Sequence, residues 1–194
     1  MTWVIIVLVA ILLVVALLVV GLYNRLVRYR NGVDNAWAQV EVQLKRRFDL
    51  IPNLVETVKG YAAHERGTFD SVTQARAAAT SAQGPAQAGA AEGILGQALG
   101  RLFAVAEAYP ELKANESFLD LQGQLRDTED KIAISRQVYN DTVLTLNNAI
   151  QVFPAVLLAG ALGFSKREFF EIDDAAERDA PQVSFTPSGD APSA

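Results

Sequence analysis

Residues 115–153 read NESFLDLQGQLRDTEDKIAISRQVYNDTVLTLNNAIQVF, the stretch with the strictest periodicity in the chain. Its large apolar side chains recur every seven residues, at Phe118, Leu125, Ile132, Tyr139, Leu146 and Phe153. A seven-residue apolar repeat is typical of a helix that supercoils around a partner helix. Asn115 is suited to cap the start of that helix, and Pro154 stops it. The stretch therefore predicts one long helix within an all-α fold.

A second apolar stripe, N-terminal to the first, supplies a partner for that helix. Its members follow one another at steps of three or four residues, as on one face of a helix: Leu26, Tyr29, Val33, Trp37, Val40, Leu44, Phe48, Ile51, Val55 and Val58. Pro52 predicts a kink, because proline lacks an N–H and clashes with the carbonyl four residues earlier. The predicted bundle seam comprises the six residues of the heptad repeat and four residues of this stripe: Trp37, Leu44, Phe48 and Ile51.

The segment between these two helices is rich in small side chains, as in ARAAATSAQGPAQAGAAEG (75–93). Gly84-Pro85 breaks helical continuity, so we expect helices over 68–83 and 86–108, the first capped by Thr68. Their combined length matches that of each neighbouring helix. The sequence thus predicts an elongated antiparallel bundle of three long arms, or of four helices if the middle arm is split near Gly84-Pro85.

The N-terminal residues 3–22, WVIIVLVAILLVVALLVVGL, contain no charge and no proline. As a helix this segment is roughly 30 Å long, about the thickness of the hydrocarbon layer of a bilayer. A cleaved signal peptide would need a basic N-terminal region and a small-residue cleavage site, and neither is present. Residues 1–22 are therefore predicted to be a transmembrane anchor that continues directly into the bundle of residues 23–172.

The orientation of the anchor follows from its flanking charges. Arg25, Arg28 and Arg30 follow the apolar segment, and no cation precedes it. Because Lys and Arg near a span are retained on the cytoplasmic side, the N-terminus is expected outside and the bundle in the cytoplasm.

The C-terminal part of the chain changes character after the heptad repeat. Residues 154–164, PAVLLAGALGF, are apolar but too short to span a membrane. They could cap the bundle, lie in a lipid surface or contact another subunit, and the cap is the default expectation. Candidate interface residues in this segment are Leu157, Leu158 and Phe164. Residues 173–194 are predicted to be an acidic, largely disordered tail containing Pro and Ser.

The composition excludes several classes of functional site. The chain has no cysteine, one histidine and a net charge of −5. Thiolate chemistry and metal sites with two histidines are therefore excluded, and nucleic-acid binding is disfavoured. The single histidine, His64, is read as a surface residue, and the basic run 45–47 as a solvated helix face. The sequence indicates no catalytic residue, cofactor or metal site.

Two blocks of the chain resemble the LemA family of bacterial membrane proteins. Residues 23–65 contain AWAQV, QLKRR, DLIPNLV and ETVKGYA in order, and residues 114–141 contain TEDKIAISRQVYND. In the second block Asp130 replaces the usual Asn and Ile134 the usual Tyr. The C-terminal stretch 153–181 is also similar. The resemblance implies one N-terminal span, an antiparallel helical bundle and a place in the bacterial plasma membrane, and it supplies no catalytic or cofactor residues.

Two functional hypotheses follow. The leading one is a non-enzymatic, membrane-anchored scaffold that forms homo-oligomers and organises or shapes the bilayer to which residues 3–22 bind. The alternative is an adaptor that presents partners to a membrane protease or chaperone in envelope stress, because some members of the family are associated with such proteins.

Overall fold

The computed structural model describes residues 1–172 and is helical, as the periodicity predicted. Its six helices are α1 (Thr2–Lys59), α2 (Arg66–Ser81), α3 (Gly84–Glu107), α4 (Pro110–Lys113), α5 (Glu116–Gln151) and α6 (Ala155–Leu158). The described residues contain no β-strand. The all-α fold class is confirmed, and the predicted tail, residues 173–194, lies outside the described residues.

Helix α1 continues without interruption from the apolar N-terminal segment into the bundle. Pro52 lies inside it and leaves the carbonyl of Phe48, four residues earlier, without its helical N–H donor. Arg76 of α2 takes over that role, since its Nε donates a hydrogen bond of 2.7 Å to the Phe48 oxygen. The helix ends at Lys59, with Gly60 as its C-cap.

Helices α2 and α3 form the segment that the sequence predicted to be divided near Gly84-Pro85. Gly84, at φ +75°, permits the reversal between them, and Pro85 lies in the first turn of α3, where its missing N–H costs nothing. The two helices pack against each other as an antiparallel pair, so the four-helix alternative is the observed one. Helix α2 begins at Arg66, and Thr68 is therefore not its cap.

Helices α1 and α5 run antiparallel in one constant register. Asn115, at the start of α5, donates a hydrogen bond of 3.1 Å to the Tyr61 hydroxyl beyond the end of α1. Further along the pair, the rings of Trp37 and Tyr139 lie 5.2 Å apart. The two contacts are separated by the same number of residues on each helix. The end of α5 therefore lies beside the part of α1 that follows the apolar segment.

The core has two parts along this pair. In the part distant from the apolar segment, α1, α2, α3 and the start of α5 bury one cluster, which includes Leu54, Val72, Leu102 and Phe118. In the part near the apolar segment, α1 and α5 bury a second cluster with the C-terminal residues, including Leu26, Leu146 and Phe170. The bundle is therefore built along α1 as its common support.

The heptad residues of α5 face this core as far as Leu146. Phe118, Leu125, Ile132, Tyr139 and Leu146 are all buried. Phe153 does not belong to the seam, because α5 ends at Gln151 and the Phe153 side chain is 79 % exposed. The expected cap at the other end is observed: the Asn115 side chain accepts a hydrogen bond of 3.0 Å from the backbone N–H of Phe118.

Residues 155–172 return from the end of α5 along the bundle. Ala155 and Ala159 are buried, whereas Leu157 remains 71 % exposed. Phe164 does not fit the expected interface, because it is buried within its own chain against Tyr23, at a ring distance of 5.8 Å. This segment thus covers part of the core and leaves another apolar part uncovered.

Candidate functional site

The most extensive exposed apolar surface is the first part of α1. The large apolar side chains from Trp3 to Val20, except Val19, are exposed over half or more of their area, and mean hydropathy in the richest 18-residue window is 3.6. Among the described residues, α1 is the one helix long and apolar enough to cross a membrane. Water would solvate such a surface poorly, and a hydrocarbon layer matches it.

A buried ion pair lies in the middle of the bundle. Arg47 of α1 donates a hydrogen bond of 2.8 Å from Nη1 to Oε2 of Glu92 on α3, and both side chains are almost fully buried. The same nitrogen lies 2.9 Å from Glu129 of α5, which is half-exposed. Three helices are therefore joined through one guanidinium group.

The carboxyl of Glu92 has a pKa above its ordinary value. Burial raises the pKa of its carboxyl to about 7, because desolvation of the charged form outweighs the attraction of Arg47. Its second oxygen, Oε1, is buried without a hydrogen-bond partner among the described residues. The pair fixes the relative position of α1 and α3.

The chain after α6 forms a strap, residues 165–172, which α5 holds through side-chain amides. Asn147 pairs with the backbone of Arg167, donating from Nδ2 to the carbonyl and accepting from the N–H, both at 2.9 Å. Asn140, one heptad earlier, makes the same two bonds to Phe170, at 3.1 and 2.9 Å. Each amide satisfies both polar groups of one strap residue, as a neighbouring β-strand would.

Other contacts seat the strap against the core. The Tyr139 hydroxyl donates a 2.8 Å hydrogen bond to the carbonyl of Glu168, and burial raises the pKa of Tyr139 to about 12. The hydroxyl thus stays protonated and remains a donor. Phe170 is fully buried against Trp37, with ring centroids 5.7 Å apart.

A glycine of α3 makes room for the strap. A Cβ atom at Gly89 would overlap the carbonyl of Glu171. Any other residue type would displace the backbone at this close approach. Glycine is therefore required at position 89.

A groove of ≈ 380 Å³ lies between α1 and α2, lined in part by Trp37, Leu44 and Phe48. Trp37 and Phe48 are half-buried. Trp37 and Phe48 therefore line an open groove as well as packing inward. Leu44, at the base of the groove, and Ile51 are buried.

The basic run 45–47 is not a uniformly solvated face. Lys45 is exposed and pairs with Asp49 at 2.7 Å, as expected for a helix surface. Arg47 is buried, so the prediction of a solvated side chain is wrong for that residue. Its partner, Glu92, lies far away in the sequence, and no local pattern indicated it. His64 is exposed, and no group of three or more potential metal ligands occurs in residues 1–172.

Comparison with known proteins places this geometry in a family. The sequence profile of the LemA family matches residues 36–185. That range includes the buried ion pair, both asparagines of α5 and the whole strap.

Individual relatives share fewer than a third of their residues with the chain. Magnetosome protein MamQ of Magnetospirillum gryphiswaldense is 29% identical over 174 residues, which cover 76% of this chain and 64% of that protein. Magnetosome protein MamQ 2 of Paramagnetospirillum magneticum is 28% identical, with coverage of 77% and 64%. Protein LemA of Metamycoplasma hominis is 27% identical, with coverage of 69% and 62%. The chain thus spans slightly less than two thirds of the length of these relatives.

Proposed function

The chain belongs to the LemA family, and we propose that it is a non-enzymatic scaffold, anchored in the membrane by residues 3–22, whose bundles self-associate and organise the bilayer. One observation carries this proposal: α1 is a single helix of 58 residues that forms both the apolar segment and the support of the bundle. No loop separates the two parts. The orientation of the bundle is therefore coupled mechanically to that of the anchor.

The length of α1 gives the proposed scaffold its scale. From Leu22 to Lys59 the helix extends for roughly 55 Å beyond the apolar segment. Helices α2, α3 and α5 stiffen it along most of that distance. When such rods pack side by side, the angle between them is transmitted to their anchors, which is how an assembly would shape the membrane.

The relatives and the site chemistry support the same view. Two relatives are named for the magnetosome and one is named LemA, and none of these names denotes an enzyme. Within residues 1–172, the most strongly buried carboxyl, that of Glu92, is engaged by Arg47 and joins helices. This arrangement suits a structural role better than proton transfer to a substrate.

The outer faces of α1 and α5 offer surfaces for contacts between copies. Val42 on α1 and Ile134 on α5 are each 63% exposed, and Val138 is 45% exposed. The register of α1 against α5 places Val42 and Ile134 at the same height, and Val138 lies four residues, or about 6 Å, further along α5. We assign the self-association of the scaffold to these outward-facing apolar residues of α1 and α5, because burying apolar surface favours association in water.

The test is the protein mass per particle after extraction in mild detergent, measured by light scattering with the detergent contribution subtracted. We expect a defined oligomer for the unmodified chain. The double variant V42E/I134E should reduce the mass to that of smaller species, because burying either carboxylate in a contact is unfavourable. Helicity should remain unchanged, since both side chains are exposed.

The matched control is the double variant Q39E/Q137E. Gln39 and Gln137 are exposed polar residues at nearly the same height, so this variant adds the same charge without removing apolar surface. It should retain the oligomer. A monomer or dimer for the unmodified chain, with no larger crosslinked species in intact membranes, would refute the scaffold and favour the adaptor.

The orientation proposed for the anchor is N-terminus outside and bundle in the cytoplasm. The chain has no cysteine, so single cysteines report topology cleanly. In spheroplasts, an impermeant maleimide should label T2C and leave S117C, on the exposed surface of α5, unlabelled. The opposite labelling pattern would reverse the proposed orientation.

A further inference from the structure

We propose that the turn after α5 makes a second contact with the membrane, inserting an apolar patch into the interfacial layer beside the anchor. The patch consists of Val152, Phe153, Val156 and Leu157, whose side chains are 56%, 79%, 52% and 71% exposed. This inference rests on the proposed anchoring of residues 3–22 in the bilayer.

The register of the bundle places this patch at the height of the membrane surface. Trp37 lies beside Tyr139, and α1 and α5 run antiparallel from that contact with equal steps. The same register brings Gln151, the last residue of α5, level with Arg25, so the turn that follows begins three residues beyond the apolar segment. The observed contact of Phe164 with Tyr23 independently fixes the returning chain at this height.

The turn presents its apolar side chains on one side only. Ala155 and Ala159 are buried against the bundle, at 1% and 4% exposure, whereas Val156 and Leu157 between them point away from it. The exposed part of the turn is therefore an uncovered apolar surface that ends the bundle next to the anchor, and α1 itself does not cover it.

The backbone of the turn is suited to an environment with little water. The N–H groups of Val156, Leu157 and Ala159 donate to the carbonyls of Val152, Pro154 and Ala155, at 2.9, 3.3 and 2.8 Å. Unpaired backbone groups are costly in lipid, so these internal bonds lower the cost of insertion. A flexible loop would have to form them on entry.

Cationic side chains lie at the same end of the bundle, as a surface facing lipid phosphates requires. Arg25, Arg28 and Arg30 follow the apolar segment, and the guanidinium of Arg30 lies over the Phe164 ring, 5.4 Å from its centroid. Apolar side chains combined with flanking cations are typical of protein surfaces that rest in the interface of an anionic membrane. This combination favours lipid over a second copy of the chain as the occupant.

The test measures the depth of a fluorescent label in the full-length chain, reconstituted in vesicles of phosphatidylcholine and phosphatidylglycerol. Single cysteines at L8C, L157C and L119C carry an environment-sensitive nitrobenzoxadiazole label, and doxyl-labelled lipids act as quenchers. Leu8 represents the anchor, and Leu119, 49% exposed at the opposite end of α5, is the matched control. None of the three is a core residue.

We expect quenching at Leu8 and Leu157 but not at Leu119. A patch buried ~5–10 Å into the interface predicts that a shallow doxyl group quenches the Leu157 label more strongly than a deep one. Quenching at Leu8 without quenching at Leu157 would overturn the second contact and leave the anchor intact. The second contact would also be overturned if the Leu157 label were quenched by labels on neighbouring copies of the chain and not by the doxyl lipids. No quenching at Leu8 would refute the anchor itself, and with it this inference.

Discussion

Glu92 illustrates how one buried side chain links the pH of the solution to the stability of the bundle. Its carboxyl lies between α1 and α3, out of contact with water, and Arg47 is its hydrogen-bond partner. Burial raises its pKa from 4.5 to about 7. Between those values the folded chain retains a proton that the unfolded chain has released. The contribution of Glu92 to stability is therefore full below pH 4.5 and is lost as the pH rises through 7.

The variant E92Q removes this titration while keeping the size of the side chain. The free energy of unfolding of E92Q, minus that of the unmodified chain, should increase by about 1–3 kcal/mol between pH 4.5 and pH 7.5. Guanidinium unfolding in detergent, followed through Trp37 in a W3F background, measures the difference. A difference that decreases over this range would show that the ionised pair with Arg47 dominates.

Residues of α1 also show where the sequence was sufficient and where it was not. The apolar stripe identified Leu44 and Ile51 as core residues, because helical period alone selects that face. Arg47 lies on the same face, one turn after Leu44, and its burial depends on a carboxylate 45 residues away. No local pattern encodes such a partner. Basic residues in a run were therefore assigned to solvent, correctly for Lys45 and wrongly for Arg47.

At the scale of elements, two helices are completed by side chains from elsewhere in the chain. Helix α1 contains Pro52, and its unpaired Phe48 carbonyl is satisfied by Arg76 from α2. Helix α5 uses Asn140 and Asn147 to hold the strap. The start of α5 at Asn115 and the break at Gly84 were predictable, because capping and turn chemistry act within a few residues. The strap was not, since its partners lie 20 and 30 residues away.

The compensation of Pro52 by Arg76 predicts a coupling between two substitutions. In the unmodified chain, R76A leaves the Phe48 carbonyl without a partner and should cost about 1–2 kcal/mol. In a P52A background the new N–H at position 52 supplies that partner, so R76A should cost at least ~1 kcal/mol less. Guanidinium unfolding of the two single variants and the double variant gives the coupling energy. Equal costs in both backgrounds would show that Arg76 does not replace the helical donor.

The strap depends on the close approach of backbone at Gly89. G89A should destabilise the bundle by roughly 1–3 kcal/mol, because the added methyl group displaces the Glu171 carbonyl and the seat of Phe170. G96A is the matched control on the same helix, since a Cβ there meets nothing within 4 Å. It should stabilise α3 by about 0.5–1 kcal/mol through helix propensity. Stabilisation by both substitutions would show that the strap is not held in this position.

At the scale of the whole molecule, the chain is organised by one helix, α1, which forms both the exposed apolar segment and the support of the bundle core. The first third of α1 is exposed and apolar, and the rest carries both clusters of the core. Periodicity predicted this continuity, and it predicted the antiparallel return of α5. It did not show that α2 and α3 would fold back on each other, because small residues on both helices leave their apolar faces poorly defined. Nor did it distinguish Phe164, which is buried, from Leu157, which is exposed.

The proposed scaffold depends above all on α1 remaining one rigid helix from the bilayer into the bundle. The most direct test is a distance between nitroxide labels at V20C and D49C, measured by double electron–electron resonance in vesicles, with unlabelled chain added to dilute contacts between copies. Both side chains are exposed, and helical rise places the two backbone positions about 44 Å apart on one face. We predict a single narrow distribution near that distance. A broad or markedly shorter distribution would show a hinge between anchor and bundle, and would contradict the scaffold.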